Sequence, residues 1–114
     1  MIFSNILQEN KLRKIKGKKM ELNVSGNIVT IKGNIKTVSD YQEIKGNIDA
    51  IAANSKSVTL KILDSISITS SVIGYLNKLV LKDGVALSIE VGNQQLKELF
   101  DDLNLTTLFK VKRG

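Results

Sequence analysis

From residue 20 onwards, short segments of alternating apolar residues take turns with longer segments of helical periodicity. Every second residue of 58–62 is apolar, as in a strand, whereas the apolar residues of 73–80 recur at helical spacing. Read along the chain, the pattern predicts the order β-β-α-β-α-β-α-β. Strands that alternate with helices imply parallel crossover connections. We therefore expect an α/β fold, a layered sheet of about five strands with interleaved helices.

Turn and capping residues mark the boundaries of these elements. Asn104 suits a left-handed position after the last helix, with Leu105 closing over its final turn. Gly46 lies inside the first helix and weakens it by about 1 kcal/mol relative to Ala. The expected elements are a hairpin through Ser25-Gly26-Asn27, helices opening at Ser39-Asp40, Ser70 and Asn93, strands at 57–63 and 85–91, and a last short strand at Leu108, Phe109 and Val111.

The positive charge of the chain is concentrated before this pattern begins. Residues 1–20 carry six Lys/Arg and one Glu, which is +5 of the net +6, whereas residues 21–109 have a net charge of −2. We divide the chain into a basic N-terminal extension, 1–19, and a domain, 20–114. Ile2, Phe3, Ile6 and Leu7 could form one face of a short helix that docks onto the sheet or onto another subunit.

The basic tract Lys11–Lys19 leaves three interpretations open. It could contact an anionic membrane surface or a nucleic acid non-specifically, or it could be a solvated tail. The chain has only two Arg and few aromatic residues, which argues against specific nucleic-acid recognition. We therefore expect at most a non-specific anionic contact from this tract.

The residue types that are missing weigh against catalysis. The chain has no cysteine and no histidine, and so lacks thiolates, the usual general base near neutral pH and the commonest metal ligand. We expect no cofactor, no metal and no enzymatic activity. No apolar stretch approaches the length needed to span a bilayer, and a basic run follows Met1–Leu7, the reverse of a secretory signal. A cytoplasmic location is expected.

The sequence Thr69-Ser70-Ser71 stands where a strand gives way to an apolar helix. Hydroxyl side chains are good N-caps because they accept hydrogen bonds from the unpaired amides of a first helical turn. Those amides and the helix dipole also favour a phosphate or carboxylate. Two interpretations follow: either the serines only cap the helix, or an exposed serine is a modification or docking point.

Residues 57–111 resemble the STAS domain, a family named for sulfate transporters and anti-sigma factor antagonists. In that family a strand leads into a loop that reads approximately Asp-Ser-Ser-Gly-Leu-Gly and opens a helix. The corresponding residues here are 69–74, TSSVIG, a degenerate loop with Thr69 for the Asp, Val72 for the first Gly and Gly74 retained. The resemblance continues through Asp83-Gly84 before VALSIEV and through LKELFDDLNLTTLFKV at 96–111.

The resemblance implies a STAS-like fold and a non-catalytic, protein-binding regulatory function. Anti-sigma factor antagonists bind a kinase-like anti-sigma factor in bacterial partner-switching pathways, and phosphorylation of the first motif Ser breaks the complex. Ser70 matches that phosphoacceptor. The alternative is a STAS-like subunit of a larger assembly, such as a membrane transport complex, without a phospho-switch. The implied partner-binding loop and helix start comprise Thr69, Ser70, Ser71, Val72 and Gly74.

Overall fold

The structure, a computed structural model, describes residues 20–114, so the predictions for residues 1–19 lie outside the described residues. The predicted order of strands and helices is confirmed. The elements are β1 (Glu21–Ser25), β2 (Ile28–Lys32), α1 (Val38–Ala52), β3 (Ser57–Ile62), α2 (Ser70–Leu81), β4 (Ala86–Val91), α3 (Gln94–Asp102) and β5 (Val111–Arg113).

The five strands form one sheet in which spatial order follows chain order, β1-β2-β3-β4-β5. β1 and β2 form an antiparallel hairpin whose turn contains Gly26 at a φ of 61°. The other neighbours are parallel and are connected in turn by α1, α2 and α3. The expected α/β class is thus confirmed, and the arrangement is consistent with a STAS-like layered sheet.

One face of the sheet carries the core. Val29, Leu60 and Ile89 are neighbours in the register of β2, β3 and β4, and all three are fully buried. On the opposite face, Thr59 and Ser88 form a partly exposed polar row. The buried residues of the three helices belong to the same apolar cluster as the buried strand residues, so the helices cover a single face. Burying each large aliphatic side chain contributes about 1.5–3 kcal/mol.

α1 begins earlier than the sequence indicated. Its first residue is Val38, and Thr37 is the N-cap, where Ser39-Asp40 was the predicted start. The Thr37 hydroxyl accepts from the Asp40 amide at 3.0 Å, and the Asp40 carboxylate accepts from the Thr37 amide at 3.1 Å. This capping box satisfies two amides at once, which stabilises the earlier start.

The chain after α3 turns before it forms its last strand. The left-handed position at Asn104 is confirmed by a φ of 59°, and the Leu105 amide donates to the Phe100 carbonyl at 2.9 Å. The strand predicted at Leu108, Phe109 and Val111 is wrong in its first part, because β5 begins only at Val111. Phe109 is buried in the preceding turn, with its ring centroid 6.1 Å from that of Phe100. Packing of this aromatic pair takes precedence over extension of the strand.

A polar cluster joins α1 to α2 at the surface. The Tyr75 hydroxyl donates to an Asp49 carboxylate oxygen at 2.5 Å, and the Lys45 ammonium lies 2.8 Å from the other oxygen. Burial, together with the bond to Asp49, raises the pKa of Tyr75 well above its usual range. Partial burial raises the pKa of Asp49, but the hydrogen bonds from Lys45 and Tyr75 outweigh it, so the net shift lowers that pKa.

We expect Asp49→Asn to lower the free energy of unfolding at neutral pH by up to about 1 kcal/mol, since the carboxylate is half exposed and screened. A lowered folded pKa contributes stability above the unfolded value of 3.8, and that contribution is lost as pH falls through the folded pKa. Urea unfolding of both proteins at neutral pH and below about pH 3 measures the effect. A difference between the two proteins that persisted at the lower pH would contradict this role for Asp49.

None of the three helices in the described part, residues 20–114, combines the length and the apolar character that crossing a bilayer requires.

Candidate functional site

Thr69 caps α2. Its backbone is extended, with φ −82° and ψ 155°, and its hydroxyl accepts from the Val72 amide at 3.3 Å. Its carbonyl accepts from the Ile73 amide at 3.1 Å, the first backbone hydrogen bond of the helix. The capping function that the sequence left open among three hydroxyl residues therefore belongs to Thr69. Neither serine is the N-cap residue.

The residues after the cap point in different directions. Ser70 and Ser71 are exposed in the first turn, and neither hydroxyl makes a hydrogen bond to another described residue. Val72 is fully buried, and Gly74 is exposed. Of the predicted partner-binding residues, Val72 therefore supports the helix start from inside the core and cannot present its side chain to a partner. The outward groups are Ser70, Ser71 and Gly74, with Thr69 partly exposed.

Because Gly74 has no side chain, the outer face of α2 does not protrude between the two surface grooves that Gly74 lines. A Cβ built at Gly74 would meet no atom within 4 Å. Leu81, two turns further along the same helix, is 64% exposed. A groove of about 340 Å³ is lined by Gly74, Asn77, Lys78, Leu81 and Lys82. A second groove of about 540 Å³, which we call the α2–α3 groove, is lined by Ile68, Ser70, Ile73, Gly74, Leu99, Leu103 and Leu105.

The β3–α2 loop, which precedes Ser70, is held by hydrogen bonds at the edge of the sheet where the parallel strands end. Ser65, in this loop, is fully buried. Its hydroxyl donates a hydrogen bond to the carbonyl of Gly33, in the loop after β2. Its carbonyl accepts a hydrogen bond from the side-chain amide of Asn93, in the loop after β4, at 2.8 Å. The Asp64 carboxylate accepts from the Gly33 amide at 2.6 Å. Loops after three neighbouring strands are thus joined, and such edges are the usual ligand-binding side of α/β sheets.

Gly92 brings the β4–α3 loop into close contact with the β3–α2 loop. Its amide donates to the Ile62 carbonyl at 2.8 Å, which continues the β3–β4 ladder beyond the last strand pair. A Cβ at this position would lie 1.9 Å from the Leu63 carbonyl oxygen. The absence of a side chain at residue 92 is therefore a condition for the approach of these two loops.

Neither the buried position of Ser65 nor the second function of Asn93 is predicted from the sequence. Asn93 was expected to cap α3, and its side-chain oxygen does accept from the Leu96 amide at 2.8 Å. Its amide group also binds Ser65, 28 positions earlier, and this contact has no local signature.

We expect Asn93→Ala to lower the free energy of unfolding by about 2 kcal/mol, because it removes both the helix cap and the donor to the buried Ser65 carbonyl. Asn93→Ser keeps a capping oxygen but cannot bridge to Ser65, so it should recover about 1 kcal/mol of that loss. Chemical denaturation of the three proteins measures the difference. Equal stability of the Ala and Ser variants would show that capping contributes nothing at this position.

The chemistry around Ser70 is suited to binding. Ile66 and Leu63, in the β3–α2 loop that leads to Ser70, are 53% and 40% exposed, so this loop presents apolar side chains to solvent. In the described part of the chain, no group of three His, Cys, Asp or Glu side chains is placed to hold a metal ion. Asp101 is bound by Lys97 at 3.0 Å and by the Thr106 hydroxyl. The arrangement can present a hydroxyl for phosphoryl transfer and an apolar surface for a protein partner.

Comparison with models of known protein families finds none that matches this chain. A search of curated proteins likewise finds no match. The interpretation of the site therefore depends on its own geometry and on the motif resemblance.

Proposed function

We propose that this chain is a non-catalytic, protein-binding regulatory domain of the anti-sigma factor antagonist type, acting in a bacterial partner-switching pathway in the cytoplasm. The observation that supports the proposal is the position of Ser70. Its hydroxyl is exposed, immediately follows the cap of α2, and is not used by the fold, because Thr69 performs the capping. The working surface comprises Ser70, Ser71 and Gly74 together with the exposed Ile66 and Leu63.

Phosphorylation of Ser70 would alter this surface without unfolding the domain. A phosphoserine adds a charge of about −1.5 to −2 and three acceptor oxygens. The first turn of α2 contains no acidic residue, and helix-start amides and the helix dipole favour an anion there. The domain therefore stays folded with the added charge, and the effect of phosphorylation falls on the affinity for the partner. Such a modification switches binding while leaving the core intact.

The two departures from the family loop are compatible with this use of Ser70. Thr69 supplies the capping oxygen at the position where the family has Asp. Val72, where the family has Gly, is directed into the core and leaves the outer surface unchanged. The retained Gly74 keeps the helix surface open one turn after Ser70.

Affinity capture from native lysate tests the proposal, with the unmodified protein compared with Ser70→Asp. We expect a kinase-like regulator to bind the first and to lose at least about tenfold in affinity for the second, since a charge facing an interface typically costs more than 1.4 kcal/mol when it is unpaired. Ser39→Asp is the matched control, because it places the same charge in the exposed first turn of α1. It should bind like the unmodified protein.

Incubation of the captured regulator with ATP should phosphorylate the unmodified protein and not Ser70→Ala, as measured by mass spectrometry. If Ser70→Asp captures the same assembly as the unmodified protein, or if neither captures a regulator, the phospho-switch is wrong. A set of transporter components bound equally by both forms would instead indicate a constitutive adaptor.

A further inference from the structure

The α2–α3 groove is an open apolar surface on the helical layer. Ile68 and Ile73 line it from the β3–α2 loop and α2, and Leu99, Leu103 and Leu105 line it from the other side. Leu103 is 46% exposed. Concave apolar surfaces of several hundred Å³ are typical binding sites for apolar side chains.

The helix α3, which contributes Leu99 and Leu103 to the groove, also carries two exposed acidic residues. Glu98 and Asp102 lie one turn apart on α3, and each directly precedes in sequence a leucine that lines the groove. Asp102 has no ion-pair partner among the described residues, and Glu98 accepts a hydrogen bond only from the neutral Gln94 within that part of the chain. The neighbouring Asp101 is neutralised by Lys97. An occupant that combines apolar side chains with positive charge would therefore fit this surface.

The first nineteen residues of the chain have that combination. Ile2, Phe3, Ile6 and Leu7 are followed by the tract 11–19, which contains six Lys/Arg and no acidic residue. We propose that residues 2–7 bind in the α2–α3 groove of their own chain, with the basic tract facing Glu98 and Asp102.

The length and exit point of the extension permit this contact. β1 is antiparallel to β2, so residue 20 lies at the carboxyl-end edge of the parallel strands, the edge from which α2 starts. Residues 8–19 can span about 40 Å when extended. From β1 to β4 there are three strand spacings, about 14 Å, and the helical layer adds about 10 Å. The reach therefore exceeds the separation.

Binding of residues 2–7 in the groove would shield the proposed regulatory serine. Ser70 and Gly74 both line the α2–α3 groove, so an occupant limits the access of another protein to them. The contact does not require Ser70 to be phosphorylated, so it can hold even if the partner-switching function is wrong. It adds a self-shielding state to the domain.

A single spin label tests the contact in the full chain. Because the chain has no cysteine, Ser4→Cys gives one labelling site. We expect the label to broaden the amide signals of Gly74 and Leu103. The signal of Ala86, at the opposite end of the sheet where β4 begins, should be unchanged. Adding Phe3→Ser should lower the ratio of bound to unbound extension about tenfold or more, since it removes a buried aromatic side chain. Gln8→Ser is the control, because it introduces the same residue in place of a polar side chain outside the apolar set.

A second pair of variants tests the negative charge on α3. Glu98→Gln combined with Asp102→Asn should lower the same ratio about three- to tenfold, and Glu43→Gln on the exposed side of α1 should leave it unchanged. Broadening that is absent, or uniform over the domain, would overturn the proposal. So would broadening that appears only between a labelled copy and a separate isotope-enriched copy, because the occupant would then be a second molecule.

Discussion

Gly92→Ala is expected to lower the free energy of unfolding by about 3 kcal/mol or more, although it adds only one methyl group. The added Cβ would lie 1.9 Å from the Leu63 carbonyl oxygen, a backbone atom that no side-chain rotation can move away. Relief of the clash requires the β3–α2 and β4–α3 loops to separate, which breaks the hydrogen bond from the Gly92 amide to Ile62. Chemical denaturation followed by circular dichroism measures the loss.

Gly46→Ala is the matched control, and its expected effect has the opposite sign. Gly46 lies inside α1, and a Cβ there would meet no atom within 4 Å. The change should stabilise the domain by up to about 1 kcal/mol through helix propensity. If the two substitutions shifted stability equally, the close approach of the two loops would not constrain residue 92.

Val72→Asp is expected to destabilise the domain by several kcal/mol and to leave little folded protein, because it places an unpaired carboxylate among core side chains. Ser71→Asp, one residue earlier, should be neutral or stabilising by about 0.3–1 kcal/mol, since residue 71 is exposed and a negative charge in a first helical turn is favourable. Thermal unfolding of the two variants compares them directly. Equal tolerance of both changes would contradict the orientation of the first turn of α2, and with it the assignment of Ser70 to the outer surface.

The periodic pattern was sufficient to predict the order and class of the elements, because each strand and helix here buries one face against a single core. It was insufficient where distant residues decide local structure. The turn that holds Phe109 depends on the ring of Phe100, and the buried position of Ser65 depends on Gly33, 32 positions earlier. The second of these contacts follows from the adjacency of β2 and β3, which periodicity does not specify.

The candidate site, too, was only partly predictable from the sequence. Its location at the start of α2 could be predicted from hydroxyl residues between a strand and a helix. The identity of the cap, Thr69, could not be predicted, because Thr69, Ser70 and Ser71 can all cap a helix. The burial of Val72, Tyr75, Leu76 and Leu79 fixes the rotation of the helix, and that rotation leaves Ser70 outside.

The agreement between chain order and strand order has a consequence for how the domain folds. Ile28 pairs with Thr59, 31 positions later, Ser57 pairs with Ala86 after 29 positions, and Ile89 pairs with Val111 after 22. Each parallel pairing therefore closes a loop of similar, modest length. Every strand pairs with the next strand in the chain, so the sheet forms without the insertion of a distant segment between two strands. Assembly can begin at the central β3–α2–β4 unit and proceed outwards in both directions, adding one strand at a time to an existing edge.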